Sequence, residues 1–146
     1  MMLMFGIMFY TDEAFMEQYY GPDCLLPENL ASPADVFAAY ENLLRLERGR
    51  LGTDWRSFQK GLYDVCHCSF EDVAVVHRSL PALAGHDMLQ YVSILPHIRK
   101  TVLAERYQDG RPHILPNCYS SLLVYFPYRE LRALERLEQM AVKNAA

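Results

Sequence analysis

The chain has 146 residues, 51% hydrophobic and 22% charged, with a net charge of −4. That balance is the opposite of what disorder needs and predicts one globular domain over residues 1–146 with its own apolar core. Twenty Leu, 13 Ala and 7 Met stand against 16 Val, Ile and Thr together. Unbranched side chains lose little rotamer freedom in a helix, so the composition favours helix.

The expected fold is mainly α, a compact helical domain of five to seven helices. A small two-stranded β element, built from residues 2–10 and 120–126, is the one addition, and an α+β fold is the alternative. The run MLMFGIMFY at 2–10 is continuously apolar and too short for periodicity to separate strand from helix. Thr11 reads as an N-cap, with Asp12 and Glu13 in the first turn of a short helix that Gly21-Pro22 ends.

Ser32-Pro33-Ala34-Asp35 is the clearest helix start, predicting a helix over 33–48 closed by Gly49 and Gly52. Thr53 starts a second helix over 54–67, on which Trp55, Phe58, Leu62 and Val65 share a face. A Ser69/Asp72 capping pair predicts a helix over 70–80, stopped by Pro81. After Gly85-His86-Asp87 comes a helix with Met88, Tyr91, Val92 and Leu95 inward, which Pro96 must end or kink. Residues 97–108 continue as helix to Asp109-Gly110, with a hairpin about that pair as the competing view. SSLLVYF at 120–126 reads as strand or helix entry, and Pro127 opens a last helix over 127–143.

No phosphate-loop, dinucleotide or nucleophile-elbow motif occurs. Cys66-His67-Cys68 lacks the second ligand pair of a zinc site, and Cys66 falls on the Trp55/Leu62 face as a core residue. His77 is expected to line the core with a hydrogen-bonded ring. Neither a metal nor a cofactor is expected. The apolar start has no positive flank and is too short to span a bilayer, so the chain is read as cytoplasmic, with reduced thiols and no membrane partner.

Charge is segregated. Residues 1–44 carry seven acids and no Lys or Arg, whereas residues 45–146 hold 14 basic and 11 acidic residues. Asp12, Glu13, Glu17, Tyr19, Tyr20 and Asp23 therefore form an acidic, tyrosine-bearing candidate contact surface, because tyrosine buries a large ring and keeps a polar tip. Arg129, Arg132, Arg136 and Lys143 lie within roughly 60° of one another on the last helix, a second candidate surface. The acids nearer the N-terminus are themselves one partner this stripe would suit.

These features predict a non-enzymatic protein-binding module, an inhibitor, adaptor or immunity-type factor. Two alternatives stay open. One is a small enzyme with a site assembled from distant residues such as His113, Cys118, His86 and Asp87. The other is a self-assembling structural subunit, hence a homo-oligomer. Nucleic acid is disfavoured by the net negative charge.

Overall fold

The computed structural model describes residues 7–68, 73–108, 111–112 and 122–145. Among them are five α-helices and a three-stranded parallel sheet, with a minimal antiparallel ladder beside it. The mainly helical reading therefore holds in its coarse form. The sheet has one strand more than the two apolar runs supply.

Strand β1 (Ile7–Tyr10) comes from the first run, whose residues 2–6 lie outside the described residues. It pairs in parallel with β5 (Leu122–Pro127), from the second run, in the register Ile7 with Val124 and Tyr10 with Pro127. Residues 120 and 121 of that run lie outside the described residues. The third strand, β2 (Val73–Val76), pairs with the opposite edge of β5, Val75 beside Val124. β5 is thus central, in the order β1-β5-β2.

The predicted helix over 70–80 is corrected by β2. Val73-Ala74-Val75-Val76 is apolar throughout and β-branched at three of its four residues, as suits a parallel strand covered on both faces. The Ser69/Asp72 pair that suggested a cap lies outside the described residues.

Alternation sorts each strand onto two cores. Ile7, Val75, Leu122, Val124 and Phe126 face a large cluster. It is built with α2 (Pro33–Leu43), α3 (Trp55–Cys68) and α4 (Gly85–Arg106), and it includes Val36, Tyr40, Phe58, Leu62, Cys66, Tyr91 and Leu95. Leu134 of α5 (Leu131–Ala145) joins the same cluster. Tyr10 and Val76 face the other way, onto Met16 of α1 (Glu13–Tyr20) and Cys24 of the 3-10 turn Pro22–Cys24. The sheet is therefore a wall between a large helical core and the lone α1.

Local chemistry sets the element ends. Asp12, not Thr11, caps α1, its carboxylate accepting from the Phe15 N–H at 3.2 Å. Ser32 caps α2 as predicted, accepting from Asp35 N–H at 3.2 Å, while Asp35 accepts from Ala31 N–H at 3.0 Å. The predicted end at residue 48 moves back to Leu43. Arg45 takes a left-handed φ of 56°, and the Leu46 N–H returns to the Glu41 carbonyl at 2.8 Å while the Arg45 N–H returns to Asn42. This pairing closes the helix in the manner usually served by glycine.

Helix α4 runs through Pro96 without ending and reaches Arg106. Both views of its end then hold, since β3 (Tyr107–Gln108) pairs antiparallel with β4 (Arg111–Pro112). The last helix begins later than residue 127, because Pro127 still belongs to β5 and Tyr128–Glu130 form a 3-10 turn.

Candidate docking surface

Helix α1 has one face committed to the sheet. Met16 is buried against Tyr10, Cys24 and Val76. Tyr20 is half-buried, and its hydroxyl meets the Tyr125 hydroxyl at 2.6 Å. The adjoining face carries Phe15 and Tyr19, 57% and 70% exposed, one helical turn apart. Their rings stack with centroids 6.0 Å apart. Tyr19 meets the edge of Tyr20 at 4.8 Å, and Tyr20 meets Tyr125 at 5.5 Å. A continuous line of rings thus runs from solvent to the central strand. The exposed pair packs against half-buried Tyr20, which lowers the entropy lost when a partner covers it.

The predicted acids divide by what already holds them. Asp12 is the helix cap. Asp23 pairs with Arg45 at 3.1 Å on the open surface. Glu13 stands 3.7 Å from the Arg78 guanidinium. Glu17 is exposed on the same helix, two positions from each ring and therefore off their face. Of the two predicted tyrosines, Tyr19 is open to solvent and Tyr20 is turned inward, since neighbouring helical positions cannot share a face.

The basic set divides in the same way. Arg129 lies before α5, on the 3-10 turn, where it donates to the Arg78 carbonyl and stands 3.7 Å from Glu130. Glu13 and Arg129 therefore both reach Arg78, at the carboxyl ends of the strands, the first at its guanidinium and the second at its carbonyl. Arg132 and Arg136 are exposed on α5, and Met140 continues their row at 47% exposure. The side chain of Lys143 lies outside the described residues.

The other polar groups serve the core. His77 is buried, stacked on Phe126 with centroids 3.9 Å apart, and its Nδ1 donates to the Tyr125 carbonyl at 3.0 Å. A carbonyl only accepts, so the proton sits on Nδ1 and Nε2 accepts from the Tyr91 hydroxyl. Tyr91 in turn accepts from Tyr40 at 2.6 Å. Burial pushes the His77 ring down to about 3 and the phenols of Tyr40 and Tyr91 upward, so all three stay neutral. Tyr10 donates to the His77 carbonyl at 2.6 Å. The expectation of a hydrogen-bonded core histidine holds, although the residue follows a strand and not a helix.

Cys66 is buried in the core, as its place on the Trp55/Leu62 face predicts, and burial pushes its thiol up to about 12. Asp87 accepts from the Trp55 indole at 2.9 Å and lies 3.4 Å from exposed His86, so it ties α4 to α3. His113 and Cys118 lie outside the described residues, as do the side chains of His67 and Cys68. Among the described residues, no group of three or more His, Cys, Asp or Glu side chains converges, and no helix is long and apolar enough to cross a membrane. No protein-family model matches the sequence, and neither a curated protein nor a solved structure is similar to it.

Proposed function

We propose that the chain is a protein-binding module that docks the outer face of α1 onto a basic, partly apolar protein surface. The observation that supports this most is the stacked, solvent-exposed Phe15/Tyr19 pair on an eight-residue helix. Two large rings left in water forgo burial free energy, of order 1.5–3 kcal/mol each, that a partner would recover. The acids of α1, exposed Glu17 among them, and the absence of any Lys or Arg before Arg45 favour a cationic partner and disfavour an anionic one. An inhibitor, an adaptor and an immunity-type factor all fit this mode of binding.

The test uses two variants that leave the Asp12 cap intact. Phe15→Ser with Tyr19→Ser removes the apolar contact, and Glu17→Lys reverses the local charge. A partner captured by the natural chain in one-to-one ratio should be lost with the first variant. With the second it should bind more weakly and lose its salt dependence. Retention of the partner by the first variant would move the interface away from α1. Concentration-dependent self-association by light scattering, abolished by the same variant, would instead make the partner a second copy of this chain.

A further inference from the structure

An open groove of about 490 Å³ lies between helices α3 and α4, on elements other than the one carrying the exposed aromatic pair. That volume lies within the usual range for small-molecule sites. Arg56, Gln59, Lys60 and Tyr63 line it from α3, one stripe at successive helical turns, and His97 and Thr101 face them from α4. Buried Ile98 gives it an apolar floor. Its titratable lining is Arg56, Lys60, His97 and Tyr63, with neither Asp nor Glu among the lining residues. In a chain of net charge −4, this is a local reversal of sign.

The donors and acceptors narrow the ligand. Arg56 and Lys60 are exposed and offer only donors. Guanidinium and ammonium groups one turn apart suit a tetrahedral dianion better than a single carboxylate. Thr101 already donates its hydroxyl hydrogen to the His97 carbonyl at 2.8 Å, so its oxygen is left to accept. Gln59 offers both kinds of group. A strand of nucleic acid needs a longer basic track than one groove of two helical turns.

We propose that this groove binds a small organic phosphate, its phosphoryl group between Arg56 and Lys60 and a hydroxyl or amino donor directed to Thr101. The proposal stands independently of the docking surface on α1, because no residue is shared.

The experiment is a backbone-amide NMR titration of the full chain with adenosine monophosphate, with a pentose phosphate and with adenosine alone. At least one of the two phosphate esters should give saturable shifts confined to residues 56–63 and 97–101, and adenosine should give none. Arg56→Gln with Lys60→Gln should weaken that binding by about tenfold or more, since each lost charge-assisted bond costs at least a factor of that order. Both side chains are exposed, so the thermal midpoint of the double variant should match the natural chain. The proposal fails if neither ester saturates, if the shifts lie on other elements, or if the double variant binds as well as the natural chain.

Discussion

Tyr91 donates its hydroxyl hydrogen to Nε2 of His77, and that single bond fixes the direction of a polar line through the apolar core. It follows from the Tyr125 carbonyl, which accepts both the His77 backbone N–H at 2.9 Å and the ring Nδ1–H. Tyr40 is then the outermost donor and Tyr91 the relay.

The direction predicts unequal costs for two matched substitutions. Tyr40→Phe removes only a donor to Tyr91, at about 1 kcal/mol. Tyr91→Phe leaves two groups unpartnered in the core, the Nε2 acceptor and the Tyr40 donor, at about 2–4 kcal/mol. Urea unfolding of the two variants measures both values. Equal losses would reverse the assigned direction or break the line.

Acid should weaken the fold through His77. Its ring is pushed down to about 3 by burial, from an ordinary value of 6.5. Between those values the unfolded chain takes a proton that the native chain refuses. The stability contributed by the neutral ring is therefore complete above pH 6.5 and is lost as the pH falls toward 3, by up to about 1.4 kcal/mol per pH unit. Urea midpoints across this window should show a steeper slope in the natural chain than in His77→Gln.

The end of α2 can be improved. Arg45 occupies the left-handed region at φ 56°, where a side chain crowds the following carbonyl. Its ion pair with Asp23 is exposed and adds little. Arg45→Gly should raise stability by about 0.5–1 kcal/mol, seen as a higher thermal midpoint with unchanged circular dichroism.

Glu41 on the same helix should behave in the opposite way. It is buried, and its carboxylate accepts from the Leu51 N–H at 2.9 Å, which ties the loop carrying Gly49 and Gly52 to α2. Glu41→Ala should cost about 2–3 kcal/mol, because the Leu51 amide loses a charged acceptor. Amide exchange at Leu51 should quicken before global unfolding.

Thiol chemistry should be slow at the two described cysteines. Burial pushes Cys66 up to about 12, and burial raises Cys24 against its own backbone hydrogen bond. At pH 8 the Cys66 thiolate fraction is on the order of 10⁻⁴, so alkylation of the native chain should follow unfolding. Rapid labelling of Cys66 in the folded state would contradict its enclosure.

Sequence patterns carry the fold unevenly. Both apolar runs and the Ser32 cap are legible because each has a local cause: continuous apolarity, or a side chain reaching three residues ahead. β2 is not. Four residues are too few for periodicity, and the spacing of Ser69 and Asp72 in the sequence is that of a capping pair. The candidate surface divides likewise. The segregation of acids is visible in composition, but the structure alone shows that Asp12, Glu13 and Asp23 are occupied by a cap, Arg78 and Arg45. The Phe15/Tyr19 spacing was available as a signal, because only an outward face has no reason to be apolar. The groove on α3 and α4 had none, since its two halves lie far apart in the chain.

The strand order has a consequence for synthesis. β1 and β2 both hydrogen-bond to β5 and not to each other, and β5 leaves the ribosome after both. Until residue 127 emerges, the apolar segments of both edge strands lack their partner, and the sheet must close over a large sequence separation. The nascent chain is thus held as helices around an unfinished wall, in the state most open to chaperones and to aggregation.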